Sequence, residues 1–249
     1  MHNDDVTVGR LLTRRELVAI LGMSGVAAMA EPLAGQAPGA AMPGCVVQPE
    51  QTEGPYFVDK MLNRQDVRVD PATRATKAGL PLRLSFNVSQ VTSQGKCSPL
   101  PGAQIDLWQC DAEGVYSGVK DPHFNTLGQH FLRGYQVTDE RGTANFTTIY
   151  PGWYPGRAVH VHFKIRTTPA APKGYEFISQ LYFDEAFTDR VFARAPYSSR
   201  SGQRTKNEGD GIFKDGGKQL ILPVTESKDG YAGTFSLALN IGRPPATKG

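Results

Sequence analysis

From Leu80 onward the chain breaks into short alternating or wholly apolar runs separated by turn-forming clusters, and this punctuation constrains the fold more than any other feature. Leu80–Val91 (LPLRLSFNVSQV) alternates apolar and polar residues along its whole length. Successive side chains of a strand point to opposite faces, so such a run suits a sheet with one face on a core. Gly102–Cys110, Phe131–Thr138, Ala144–Ile149, Ala158–Arg166, Phe177–Phe183, Gln219–Pro223 and Gly233–Leu239 continue the series. Between them, Ser93-Gln94-Gly95-Lys96, Asp139-Glu140-Arg141-Gly142 and Asp229-Gly230 are rich in the residues that turns require. No long segment has helical period, and Phe187–Arg194 is expected to form one short helix. The pattern predicts an all-β chain: a single β-sandwich of mostly antiparallel strands with long loops, the longest being the polar stretch 196–218. A chain of 249 residues with twelve phenylalanines can fill such a core without covalent staples.

The N-terminus reads differently. Thr13-Arg14-Arg15-Glu16-Leu17 leads into a run of apolar and small residues that ends in Ala28-Met29-Ala30. A charged region, an apolar region and an A-x-A site make residues 1–30 a signal peptide, and the paired arginines suggest the twin-arginine route. Residues 31–47 read as a flexible linker and 48–249 as the folded domain, exported to the periplasm or beyond. The apolar run is too short and too rich in Gly and Ala to make a stable membrane span. The net charge of +3 is spread along the chain, which argues against a nucleic-acid partner. Of three cysteines, Cys97 and Cys110 flank a predicted strand and would lie about 20 Å apart, too far to bridge. That leaves Cys45 to pair with either, or to carry a lipid anchor instead.

The chemistry concentrates in Tyr150–Ile165, YPGWYPGRAVHVHFKI. Residues two apart share a strand face, so Val159, Val161, Phe163 and Ile165 would face the core and His160, His162 and Lys164 the opposite side. Two imidazoles on one face can reach a common metal, or can simply be partnered by hydrogen bonds. Tyr154, in the turn before them, could fold over the same face, and Tyr116 follows an Asp111-Ala112-Glu113-Gly114 turn at an earlier strand end. A phenolate is a hard anionic donor, suited to a trivalent ion and poorly suited to zinc or copper(I). Taken singly, each tyrosine reads equally as packing.

Together these segments carry a resemblance. GAQIDLWQCDAEGVYSG, FLRGYQVTDERGTANFTTIYPGWYPGR and AVHVHFKI, with the upstream QTEGPYF and the later SQLYF, resemble the intradiol ring-cleavage dioxygenases over about residues 48–240. The resemblance implies one non-haem iron(III) per chain, held by Tyr116, Tyr154, His160 and His162, with Tyr154 the ligand that leaves when substrate arrives. Arg157 would steady charge developing on the substrate ring; a guanidinium aimed at such charge counts most in a dry site. Gln180 would support the ligand-bearing residues from behind or contact substrate, and Tyr56 would line the pocket or serve as packing. The implied reaction takes a small-molecule catechol and O2, opens the ring between the two hydroxyl-bearing carbons and yields a muconate-type diacid. The link from Tyr154 to Arg157 is three residues, shorter than in well-known members, which implies a more open site. A helical N-terminal dimerisation region is also missing from the pattern, and oligomeric state and the identity of the catechol stay open. Two other readings compete with this one. A non-catalytic β-sandwich binding module would be expected to lose part of this set, and a zinc hydrolase built on His160, His162 and a carboxylate leaves both tyrosines unexplained.

Overall fold

A computed structural model of the chain describes residues 45–92, 94–167 and 174–241. The expected signal peptide and nearly all of the linker therefore lie outside the described residues. Among those described, nine strands form two sheets, and helical structure is confined to short segments. In the five-stranded sheet, β1 (Pro81–Val91) is central. One of its edges carries β5 (Thr143–Ile149) along Pro81–Asn87 and then β2 (Cys97–Pro99) along Ser89–Val91, both antiparallel. Its other edge carries β9 (Gly230–Leu239), which runs parallel to it and pairs in turn with β8 (Val224–Ser227). The four-stranded sheet is antiparallel throughout, in the order β4 (Arg133–Val137), β3 (Gln104–Trp108), β6 (His160–Arg166), β7 (Glu176–Tyr182).

The period of two decides which side chains fill the core. Leu82, Leu84, Phe86 and Val88 of β1 are buried, as are Val161, Phe163 and Ile165 of β6. The rings of Phe86 and Phe163 lie 5.1 Å apart, and Phe163 also meets Phe235 of β9 at 5.8 Å, so both sheets contribute to one core. Burying each such ring contributes roughly 1.5–3 kcal/mol. The alternate residues of β6 point away from that core as expected, yet they too are buried, because the segment around Pro49–Leu62 crosses the outer face of the sheet. Ser179 Oγ donates to the Pro49 carbonyl (2.8 Å), Gln180 Nε2 to that of Thr52 (3.1 Å), and Tyr135 N to that of Leu62 (2.8 Å).

Sequence and structure part company in three places. Gln219–Pro223 is not a strand: a short 3-10 turn over Gly217–Leu220 is followed by a single bridge from Ile221 to Tyr182. Leu220 and Leu222 are both buried there, and a proline that lacks an N–H ends the segment before a ladder can form. Strands β2 and β8 are too short to show alternation. The polar stretch 196–218 holds three short helical turns (Tyr197–Ser199, Asn207–Gly209, Gly211–Lys214) rather than open loop, and it buries Asp210. The short helix is present, over Glu185–Phe192.

Two loops carry the tyrosines of interest, and they touch through their backbones. Gly152 N donates to the Asp111 carbonyl (3.1 Å), and a Cβ on Gly152 would overlap that oxygen and the Ala112 carbonyl. Gly114, at φ +80°, faces the Trp153 carbonyl so closely that a Cβ there would overlap it as well. Asp111 organises its own turn: its Oδ1 accepts from Glu113 N and Val115 N (both 3.0 Å), and Lys77 Nζ pairs with Oδ2 (2.8 Å).

Cys45 is bonded to Cys97, with 5.6 Å between Cα atoms, which anchors the start of the crossing segment to β2. Cys110 is buried and unbridged, and burial pushes its thiol pKa far up, so it is chemically quiet. The bridge spans 52 residues, and the loop entropy it removes from the unfolded chain is worth about 4 kcal/mol. Cys45→Ser should therefore lower unfolding stability by about 2–4 kcal/mol in urea titrations, and reductant should bring the parent to the same midpoint. Gly152→Ala should cost about 1–3 kcal/mol in the same assay, because overpacking at a backbone contact cannot relax into a side chain.

Candidate metal centre

Pairing across the four-stranded sheet sets the stage. His162 lies opposite Trp108 of β3 and Gln180 of β7, and His160 opposite Tyr182. The Trp108 indole stacks on the His162 imidazole at 4.9 Å with 6° between planes, fixing the ring's tilt. The His160 ring is held differently. Its Nδ1 lies 2.6 Å from the Ala158 carbonyl, which can only accept, so Nδ1 carries the hydrogen and Nε2 presents a lone pair.

Three donors crowd that lone pair. Tyr116 Oη stands 3.3 Å from His160 Nε2, Tyr154 Oη 3.2 Å, and His162 Nε2 3.0 Å. One lone pair cannot satisfy three neighbours by hydrogen bonding. A donor roughly 2.1 Å from an ion, with three others at the same distance and at right angles to it, would stand about 3 Å from each of them. The spacing thus fits a cation at the common focus. His162 Nδ1, buried without a hydrogen-bond partner, fits a ring held by stacking and by its other nitrogen. The four residues singled out from sequence are therefore brought together.

The protonation states agree with that geometry. Burial, and then the Arg157 charge, hold His160 well below the usual imidazole range; burial, His160 and Arg157 do the same for His162. Both rings are neutral, as ligands must be. Burial, with Tyr154 beside it, pushes the Tyr116 phenol far above its ordinary value. A phenolate at that depth needs a strongly charged cation to bind it. Two phenol oxygens and two imidazoles suit a hard trivalent ion. Among the described residues, no group of three or more His, Cys, Asp or Glu is disposed to hold a metal, so a carboxylate to complete a zinc site with His160 and His162 is lacking.

Arg157 closes one side of the focus. It is buried, and its Nε donates to Asp210 Oδ2 (3.1 Å) while an Nη donates to Gln180 Oε1. Burial alone would lower its pKa, but the charges available at Tyr154 and Asp210 more than offset this and keep it cationic. Asp210 has further donors, Ala158 N (2.9 Å) and Ile212 N (2.8 Å), so its carboxylate is held independently of the arginine. Gln180 is thus placed against Arg157 and does not line the adjoining cavity. Tyr56 does line it: its ring stacks on Tyr116 at 4.4 Å, and its hydroxyl donates to Asp121 Oδ2 (2.8 Å). The cavity is open to solvent, holds about 700 Å³, and has Tyr154, Arg157 and Asp210 in its wall.

Trp108, Asp111, Asp121 and Asp210 were not foreseen as parts of the site. Asp111 had a signal, an Asp–x–x–Gly turn; Asp210 sits in a polar stretch with nothing local to link it to an arginine 53 residues away. Arg133, Lys164 and Arg166, buried cations of the same sheet, are engaged elsewhere. Arg133 donates to the Tyr56 carbonyl and to Ser117, Lys164 pairs with Glu53, and Arg166 pairs with Asp106 and Asp59.

Comparison with known proteins matches residues 52–240 to a family model described as Dioxygenase (Dioxygenase_C). The chain is similar to the solved structure of an intradiol ring-cleavage dioxygenase from Tetranychus urticae, at 32% identity and a TM-score of 0.68, covering 81% of this chain and 98% of that one. It is also similar to the dioxygenase domain of a dioxygenase carbohydrate-binding protein fusion from Streptomyces sp. SirexAA-E (28% identity, TM-score 0.54, 78% and 99% covered). A third match is the protocatechuate 3,4-dioxygenase beta chain of Burkholderia cepacia, 31% identical over 143 residues, 53% of this chain and 59% of that one. Matches to the curated relatives cover 33% to 59% of those proteins' length. From the matched span and the solved relatives alike, the chain belongs to the intradiol ring-cleavage dioxygenases.

Proposed function

We propose that residues 48–249 form one catalytic β-sandwich that binds a single non-haem iron(III) through Tyr116, Tyr154, His160 and His162 and cleaves catechols with O2. The observation that carries this reading is the convergence of three donors, at 3.0–3.3 Å, on the one lone pair of His160 Nε2. Similarity to a protocatechuate 3,4-dioxygenase chain supports a catechol-type substrate.

The chemistry that ferric iron supplies when bound is chelation of both catechol oxygens and withdrawal of charge from the ring, so that a ring carbon becomes reactive toward O2. The chain's own residues do the rest. Tyr116 and His160, both buried, stay in place and hold the focus. Tyr154 is half-buried, lies in the cavity wall and can turn outward, its oxygen taking up a substrate hydroxyl proton as it goes. Arg157 is anchored by Asp210 and Gln180 and so presents a fixed positive charge to the ring as negative charge builds on it. Trp108 and Tyr56 wall the site and limit water. Both atoms of O2 enter the product, the bond between the two oxygen-bearing carbons breaks, and no external reductant is needed.

We also read the chain as exported. The signal-like N-terminus supports this, and a Cys45–Cys97 disulfide suits an oxidising compartment.

Purified protein should contain about one iron per chain and show a visible phenolate-to-iron band that moves to longer wavelength when catechol is added without oxygen. Tyr116→Phe should remove most of the band and lower iron content. Arg157→Ala should keep iron, because Asp210 retains its backbone donors, while turnover falls about 10²–10³-fold. Protein that stays colourless after iron reconstitution, or two variants that oxidise catechols like the parent, would place the chemistry elsewhere.

A further inference from the structure

Gln51 opens the segment QTEGPYF that crosses the outer face of the four-stranded sheet. It is buried, and an amide side chain is costly to bury unless its polar atoms are used. They are used. Nε2 donates to the carbonyls of Ile212 (2.9 Å) and Asp215 (3.0 Å), and Oε1 accepts from Tyr182 Oη (3.0 Å). Both carbonyls can only accept, which fixes the orientation of the amide and turns its oxygen toward the tyrosine. The backbone N–H of Gln51 donates to the Ile178 carbonyl of β7 (2.9 Å), so the side chain projects from a fixed point.

Two of these contacts lead to the groups that hold Arg157. Ile212 gives its carbonyl to Gln51 and its N–H to Asp210 Oδ1 (2.8 Å), and Asp210 Oδ2 accepts from Arg157 Nε (3.1 Å). Tyr182 Oη also lies 3.2 Å from Gln180 Oε1, the acceptor of an Arg157 Nη. Tyr182 has one hydroxyl hydrogen and two amide oxygens in reach; given to Gln51, it leaves Gln180 Oε1 to the guanidinium. Gln180 is held in turn by the residue next to Gln51, its Nε2 donating to the Thr52 carbonyl (3.1 Å). The carboxylate and the amide that hold the guanidinium from two sides thus meet again at Gln51.

Resting on the iron reading above, we propose that Gln51 is a positioning residue for the reaction. Through Ile212 and Asp210 on one side, and Tyr182 and Gln180 on the other, it fixes the aim of the Arg157 charge without touching substrate or ion. Among the described residues Gln51 makes no hydrogen bond to Tyr116, Tyr154, His160 or His162, so holding the ion and aiming the charge are separate tasks. A displaced charge serves the reacting ring less well even where the ring still binds. Asp210 keeps its bond from Ala158 N (2.9 Å), so loss of Gln51 shifts the guanidinium and does not release it.

The test is a double-mutant cycle on iron-loaded protein. Gln51→Met keeps the length and removes the side-chain hydrogen bonds; Gln51→Asn keeps the amide but is one methylene too short to span its partners. Each should retain the iron content and the resting visible band, bind catechol without oxygen within about threefold of the parent, and turn over about 10–10²-fold more slowly. In the Arg157→Ala background either substitution should cost less than about twofold more, because the group it aims is gone. A merely structural residue would give the same loss in both backgrounds, or lower iron content with turnover per iron unchanged. Either of those results, or failure of both variants to fold, overturns the positioning role and leaves the iron chemistry standing. A parent band that answers to no catechol removes the iron reading itself, and this role with it.

Discussion

Strand β6 is buried on both faces, and most of the molecule's architecture answers that one constraint. One face carries Val161, Phe163 and Ile165 and needs an opposing sheet; the other carries His160, His162, Lys164 and Arg166 and needs polar partners out of water. A strand can serve two such different environments only because its side chains alternate strictly. A slip of one residue would put imidazoles into the phenylalanine core and Phe163 into the site. Register is held on both sides, by β3 through Trp108↔His162 and by β7 through Gln180↔His162.

The polar face is kept tolerable by pairing its charges locally. Lys164 meets Glu53 and lies 4.0 Å from the centre of the Phe57 ring, and Arg166 is bound by Asp106 and Asp59. Arg157 is bound by Asp210. Each partner of a buried pair is costly to remove alone, about 3–5 kcal/mol where nothing else holds the remaining charge. In the cluster of His160, His162, Tyr116 and Tyr154, three groups converge instead on the one lone pair of His160 Nε2.

Much of this was legible from residue order. Alternation located β1, β3, β5, β6 and β7, and the HxH pair with a preceding arginine marked the site, because period two acts over a few residues. What stayed hidden depends on contacts between distant segments. The parallel pairing of β1 with β9 joins strands more than a hundred residues apart, and strand alternation is the same for either direction. Asp210 comes from a stretch that looked like open loop, and Cys45 is bonded to Cys97 and not Cys110 while the segment it begins meets β9, where Val46 O accepts from Ala238 N. Gln219–Pro223 had strand-like composition, but burial of Leu220 and Leu222 against the end of β7 outweighed propensity there.

The tyrosine loops meet backbone to backbone, with the Arg200 guanidinium on the Trp153 carbonyl beside Gly114. At Gly114 and Gly152 peptide groups rest on carbonyl oxygens of the opposite loop, so the distance between the two phenol-bearing backbones is set by peptide dimensions and not by rotamer choice. The pair behaves as one rigid bracket. Substitutions elsewhere in either loop can reshape the cavity rim and change which molecules enter, while the oxygen donors keep their spacing. Rim shape and donor spacing are thereby made mechanically independent, and a site of this design can change what it admits without rebuilding its centre.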